Sequence, residues 1–406
     1  MSRSFKFIFV FSIFFLISSS VSQNPILPKA AILQVTKDLS TLQYVAKVSI
    51  GQNLDPVNLV IDLNGPFVWF DCGKSISPIS SHKTIKSFSL ECSMAKSSTT
   101  TTTGYNSKTC TLQAENTISR MSTFGELNED KVALNFWDGK DSDLFGNIDQ
   151  FLFSCAPNLL LKGLAFGAKG MLGLGDSRIS LPSQISNAFG FFQRKFSLCL
   201  SSSKGAILIG GSPHESEISS SMMYTPLIFK KNEGYHLNVN SIKISGKKLS
   251  LHEKGILGTK LSTIIPYTTM ESKIYRTFVE AYVKASNSMN LTLVPPVAPF
   301  EVCFSSKGVE KKRVGPNVPI VDLTLQSDMV KWRIYGRNSM VFVSDEVMCL
   351  GFLDGGLSTK DSIVIGGYQL EDYYLEINLG NSMFGFSSSL LLGQKKCTDF
   401  DLSREL

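Results

Sequence analysis

Two apolar runs, one in each half of the chain and each closed by paired glycines, constrain the fold more than any other feature. Ala206-Ile207-Leu208-Ile209-Gly210-Gly211 is echoed by Ser362-Ile363-Val364-Ile365-Gly366-Gly367. A short apolar run bounded by glycine reads as a buried strand. Its recurrence implies two related lobes, expected at residues 23–215 and 216–406 and divided by the polar, Ser-rich stretch 212–222. Other segments also read as strands. Tyr44-Val45-Ala46-Lys47-Val48-Ser49-Ile50 alternates like a half-buried strand and is turned by Gly51-Gln52-Asn53, and residues 58–62 and 66–70 follow. Helical signals are few. Leu181-Pro182-Ser183-Gln184-Ile185 opens a short helix with Pro in its first turn. Ile274, Phe278, Ala281 and Tyr282 form a helical stripe within residues 271–286. The Ser/Thr run at 97–103 is low-complexity and expected as an exposed loop. The expectation is an all-β chain with a few short helices.

The first residues read as an export signal. Arg3 and Lys6 precede an apolar run at 7–17, and small residues Ser20 and Ser22 suit cleavage after Ser22. The run is too short to span a bilayer, and no later segment is long and apolar enough. A secreted, extracellular protein of the cell wall space is expected, with no membrane association and as a monomer. Removing residues 1–22, which hold no acid, takes the net charge from +6 to +4. That is too weak and dispersed for nucleic acid, but suits loose association with an acidic cell-wall polysaccharide. All eight cysteines follow the signal, an even count that argues for disulfides in an exported chain. Their pairing is left open by spacing. No Cys-x-x-Cys occurs and the four histidines are scattered, so no metal or other cofactor is expected. Asn290-Leu291-Thr292 is a glycosylation sequon, with Asn290 as acceptor.

The residues with the most chemistry in them are Val60-Ile61-Asp62-Leu63-Asn64-Gly65, followed by Phe67-Val68-Trp69. An apolar strand running into Asp and a tight turn resembles the active-site strand of a pepsin-like aspartic protease. Gly170-Met171-Leu172-Gly173-Leu174-Gly175 with Leu181-Pro182-Ser183-Gln184 resembles the segment that braces that turn, and residues 362–367 and 373–386 resemble the family's last strands. Within the family the chain looks most like the plant group of protease-like inhibitor proteins. That group includes the extracellular dermal glycoprotein, xyloglucan-specific endoglucanase inhibitors, xylanase inhibitors and basic globulins. The signatures are residues 60–72, Phe153-Ser154-Cys155-Ala156-Pro157, Lys195-Phe196-Ser197-Leu198-Cys199-Leu200, Ser262-Thr263-Ile264-Ile265-Pro266-Tyr267-Thr268 and Asn338-Ser339-Met340-Val341. The resemblance covers nearly the whole chain after the signal and implies a bilobal pepsin-like fold. It also implies the pairs Cys199–Cys397, Cys303–Cys349, Cys72–Cys155 and Cys92–Cys110.

An aspartic protease needs two carboxylates sharing one proton, because like charges about 3 Å apart cannot both ionise. The resemblance puts Ser262 at the second position, so Asp62 is read as a vestige and no catalytic site is expected intact. The Thr and Gly that follow each Asp normally build a hydrogen-bonded turn. Leu63, Asn64, Thr263 and Ile264 are expected not to reproduce it. The flap region near 118–125 has no Tyr. No Gly-x-Ser-x-Gly elbow or phosphate loop offers another chemistry.

The plant relatives block glycoside hydrolases, whose clefts carry two catalytic carboxylates. The resemblance implies that basic residues on two loops insert there: Lys312 and Arg313 in Glu310-Lys311-Lys312-Arg313-Val314-Gly315-Pro316, and Lys395 and Lys396 in Leu391-Leu392-Gly393-Gln394-Lys395-Lys396-Cys397. The second loop is one residue shorter than in the dermal glycoprotein and carries Lys where that protein has Arg. The leading expectation is a secreted, non-catalytic inhibitor of a microbial endoglucanase, with xyloglucan-specific endo-β-1,4-glucanase as partner. The alternatives are a basic-globulin-type storage or peptide-binding protein, and a residual aspartic endopeptidase. A run of lysines is otherwise a solvated face.

Overall fold

The structure is a computed structural model. It describes residues 29–73, 82–97, 108–137, 144–190, 193–211, 218, 221–230, 233–251, 256, 258–357 and 359–400. The export signal, the lobe boundary at 215/216 and the Ser/Thr run beyond Ser97 lie outside these residues.

Strands dominate, as the alternation implies. Tyr44–Ile50 is a strand with alternate residues buried, and it pairs antiparallel with Asp55–Asp62. Residues 51–54 form the turn between them. The expected strand at 66–70 shrinks to Trp69–Phe70. Pro66 has no N–H to give a ladder, and its carbonyl is taken by the Ser177 hydroxyl. Both expected helices form. Leu181–Phe189 carries Pro182 in its first turn and stops at Gly190, whose φ of 64° closes the end. Ser272–Ser288 is capped by Glu271, whose carboxylate accepts from the N–H groups of Lys273 and Ile274, and it buries Ile274, Phe278 and Tyr282.

Each half builds the same four-strand unit. In the first, Asp55–Asp62 runs parallel to Gly170–Gly173, which runs antiparallel to Trp69–Phe70, which runs parallel to Leu144–Cys155. In the second, Thr259–Leu261, Ile363–Ile365, Thr268–Met270 and Phe352–Asp354 follow in the same order with the same senses. The duplication is real, but the glycine echo matched the wrong partners. The counterpart of Ile363–Ile365 is Gly170–Gly173. Ala206-Ile207-Leu208-Ile209 instead lies in Lys204–Gly210, between Ala30–Lys37 and Lys195–Cys199. Paired glycines serve different ends at the two places. Gly210 turns the chain with φ 101°, whereas a Cβ on Gly366 would fall 2.5 Å from the Tyr267 backbone.

A fourteen-stranded sheet ties the halves together. Its seam is the antiparallel pairing of Lys195–Cys199 with Tyr374–Asn378. One apolar core crosses this seam, from Leu33 and Phe153 to Phe278 and Trp332. A second fills the first lobe around Trp69, Met171 and Leu127. Disulfides join Cys72–Cys155, Cys92–Cys110, Cys199–Cys397 and Cys303–Cys349. The third bonds the end of a seam strand to the chain's C-terminal turn.

Candidate functional site

Asp62 ends its strand opposite Gly173. A side chain at 173 would drive a Cβ to 2.3 Å from the Phe67 carbonyl and 2.6 Å from that of Gly65, so glycine alone lets the bracing strand approach the turn. The Asp62 carbonyl accepts from Gly65 and Leu174 N–H groups at 3.2 and 3.0 Å. Its side chain is 3% exposed. One carboxylate oxygen accepts from the Asn64 N–H at 3.0 Å, the other from the Thr117 hydroxyl at 3.0 Å. Burial raises its pKa above the ordinary carboxylate value, outweighing both hydrogen bonds and the charge of Lys260.

Ser262 lies at the matching end of the second unit, 6% exposed. Its N–H donates to the Ile365 carbonyl, and its hydroxyl oxygen accepts from the N–H groups of Ile264 and Ile265 at 3.1 and 3.4 Å. No hydrogen bond joins Asp62 to Ser262 among the described residues.

The turns are better preserved than their residues suggest, which corrects one expectation. The Thr263 hydroxyl crosses to the first lobe, donating to the Ile61 carbonyl at 2.7 Å and accepting from the Leu63 N–H at 3.1 Å. Leu63 cannot return that exchange, but Asn64 does. Its amide donates to the Leu261 carbonyl at 2.8 Å and accepts from the Tyr235 N–H at 2.9 Å. The cross-lobe clasp therefore survives with Asn64 replacing the usual threonine. A side-chain amide carries both a donor and an acceptor and serves where a hydroxyl would.

The Asp62 carboxylate is capped from outside its own strand. The hairpin of Thr111–Asn116 and Met121–Trp137 turns at residues 117–120 and brings Thr117 onto the carboxylate. Asn116, fully buried, pins that turn. Its amide nitrogen donates to the Leu160 and Lys162 carbonyls, and its oxygen accepts from Ile118 and Ser119. Ile118 from this turn and Ile264 from the second lobe both pack on the Trp69 core.

The basic loops stand elsewhere. Lys311–Lys312 and Gly315–Pro316 form a two-stranded hairpin with Arg313 and Val314 at its tip. Lys311, Lys312 and Arg313 are exposed. The second loop follows the turn Leu390–Gly393, with Gln394 at φ 60°, Lys395 half-buried and Lys396 exposed before the bridged Cys397. The two loops meet. With the Gln394 amide oxygen turned toward it, the Arg313 guanidinium donates two hydrogen bonds of 2.8 Å. Beneath them lies a charge cluster that spacing gave no hint of. Glu371, fully buried, accepts from Lys37 at 2.6 Å and from the Tyr44 hydroxyl at 2.9 Å, and lies 3.5 Å from Arg337. The Arg337 N–H holds the Val314 carbonyl of the hairpin, and the Asp372 carbonyl accepts from Leu390 of the second loop. Burial pushes the Asp372 carboxyl up to about 6, against the lowering pull of Arg337. Asn290 is exposed just past the helix end, with φ 60°.

Fold and site together define a pepsin-like scaffold of the aspartic-protease type. The chain belongs to the xylanase-inhibitor family: residues 44–211 match its model for the N-terminal part, described as Xylanase inhibitor N-terminal, and 234–388 that described as Xylanase inhibitor C-terminal. It is 40% identical to a Nicotiana benthamiana protein named probable aspartic proteinase GIP2, over 97% of this chain and 96% of that one. The solved structure of edgp matches with TM-score 0.84 and 39% identity, over 92% of this chain and 98% of that one. That of basic 7S globulin from soybean matches with TM-score 0.82 and 32% identity, over 93% and 100%. The protein is a secreted member of this group. No helix among the described residues is long and apolar enough to cross a membrane.

Proposed function

We propose that this chain is a non-catalytic binding protein of the basic-globulin type, holding a polypeptide partner on its exposed basic surface. The observation that carries the reading is the single carboxylate of the old cleft. Asp62 is capped by Thr117 and faces a lobe whose matching residue is Ser262, with its hydroxyl already engaged by two N–H groups. A serine hydroxyl does not titrate in the working range and cannot share a proton with Asp62 as a second carboxylate would. The likeness to basic 7S globulin supports the basic-globulin type. We divide the lobes near residue 215 and assign Asn290 as a glycan acceptor, which loss of mass on glycosidase treatment would check.

A second reading is inhibition of a xyloglucan-specific endo-β-1,4-glucanase. It is favoured by Arg313, exposed at a hairpin tip with its guanidinium reaching the neighbouring loop at Gln394. A guanidinium can pair bidentately with the carboxylates of a glycosidase cleft. Titrating the protein against xyloglucanase, xylanase and cellulase, beside binding to labelled peptides, separates the two. Inhibition that weakens about 100-fold or more in Arg313→Ala supports the second reading. Peptide binding without inhibition supports the first. Absence of both sinks the two together.

A further inference from the structure

We propose that an extended acidic peptide docks in the groove between the basic hairpin and the strand Met340–Phe342, pairing with that strand's free edge at Phe342. The inference rests on the polypeptide-binding reading above and names the place and chemistry of binding.

Among the described residues, Met340–Phe342 is the outermost strand of a four-stranded sheet, paired with Val347–Leu350. On its outer side Met340 is already engaged, its N–H by the Gly336 carbonyl and its carbonyl by the Tyr368 hydroxyl, so the free edge is at Phe342. The hairpin of Lys311–Lys312 and Gly315–Pro316 forms its own two-stranded sheet beside it. Between them runs a groove lined by Lys311, Lys312, Pro316, Phe342, Val343 and Asp345, among others. An edge strand presents backbone donors and acceptors to any extended chain that comes alongside. Past Met340 the edge is not blunted in the usual way. Its exposed residues are Phe342 and Val343, 47% and 36% exposed, where charged or proline residues commonly guard an edge.

The groove is held open by the fold. The short helical turn Gly336–Ser339 leads directly into the edge strand, and the hairpin is bonded to that turn. The Arg337 N–H donates to the Val314 carbonyl at 2.7 Å. Gly315 has φ 97°, and a Cβ there would lie 2.1 Å from the Arg337 nitrogen, while one on Gly336 would lie 2.1 Å from the Pro316 carbonyl. Backbones this close fix hairpin and edge relative to each other, so the groove need not be ordered when a ligand arrives.

Charge selects the occupant. Lys311 and Lys312 line one wall, and the one acid lining the groove is Asp345. The Lys311 ammonium lies 6.0 Å from the Phe342 ring, and Lys312 pairs only loosely with Glu310, at 3.5 Å on the exposed rim. A peptide whose alternate residues are acidic would set carboxylates against the lysines on the face where Lys311 lies over Phe342, and apolar side chains toward Val343 on the other, the period of two that a strand requires. An acidic polysaccharide shares the charge but has no main-chain N–H to add to the edge.

The test uses the full-length protein and a labelled hexapeptide of alternating Asp and Val. Three other probes accompany it: the same peptide with Lys for Asp, the same peptide N-methylated at alternate residues, and an oligogalacturonate. Saturable binding of the Asp peptide, lost with Lys and with N-methylation and weakened by salt, is expected. Lys311→Glu with Lys312→Glu should weaken it at least about tenfold with the thermal midpoint kept. Peptide binding that this double variant leaves unchanged overturns the groove and spares the polypeptide-binding reading. Binding of oligogalacturonate in preference to the peptide overturns the proposal in favour of a polysaccharide site. Failure of every peptide, acidic, basic or methylated, overturns both.

Discussion

At the old cleft, polar side chains turn inward and are used up by the protein's own groups. Asp62, Asn64, Thr117, Ser262 and Thr263 all hydrogen-bond within the chain. At the basic face, Lys311, Lys312, Arg313 and Lys396 stay exposed, and the buried charges beneath them hold the loops in place. The same scaffold thus keeps polar groups for two purposes. In the cleft they clasp the lobes together. On the basic face they stay at the surface, tied to neighbouring loops. Polar residues at the ends of these strands carry structural load whatever their chemistry.

Breaking the support of the basic face should have the largest effect. Glu371→Ala leaves Lys37 without its carboxylate, and Lys37 is only 7% exposed. Removing one partner of a buried pair costs roughly 3–5 kcal/mol. Chemical denaturation should show that loss, with hydrogen exchange accelerated in the hairpin at 311–316 and the loop at 390–397. Next comes the clasp. Thr263→Val leaves the Ile61 carbonyl and the Leu63 N–H without their hydroxyl, a loss of about 2 kcal/mol for two buried groups. Asn64→Leu should cost a similar amount, and the two losses together should exceed either alone if both fasten the same junction.

The two regions also share a pH response. Asp62 and Asp372 both have folded-state pKa values raised by burial, Asp372 to about 6. Raised acid values mean that the folded state holds the proton more tightly than the unfolded chain. Each contribution is full below the unfolded value near 4 and is lost as pH climbs through the raised folded value, about 6 for Asp372. For Asp372 the change is on the order of 3 kcal/mol. Thermal midpoints measured from pH 4 to 7 should fall across that window, and Asp372→Asn should flatten the fall. Asp62→Asn gives the smallest effect. Asparagine copies the neutral acid, so stability near neutral pH should change by no more than about 1 kcal/mol and in the stabilising direction.

Much of this was legible in the sequence, for identifiable reasons. The alternation at 44–50 and the helical stripe from Ile274 to Tyr282 report burial periodicity, which a chain must encode locally. The strand ending at Asp62 and the brace at 170–175 were recognised through family likeness, and they lie together as that likeness implies. The glycine echo misled because paired glycines mark both a turn at Gly210 and a close approach at Gly366. Thr117, Asn64, Arg337, Glu371 and Asp372 were missed as partners because their roles depend on contacts across the fold. Thr117 and Asp62 are 55 residues apart, Lys37 and Glu371 334. No local period records such pairs. The Arg313–Gln394 contact had a partial signal, since both basic loops were singled out, but nothing in their spacing said that they touch.

The central claim is that Asp62 is a capped remnant that cuts nothing. The direct test is proteolysis of a denatured protein substrate by the purified chain from pH 2 to 6, run beside Asp62→Asn. No cleavage above that of the Asp62→Asn protein is expected at any pH. Cleavage by the unaltered chain that Asp62→Asn abolishes, and that a transition-state inhibitor of aspartic proteases blocks, would contradict the claim.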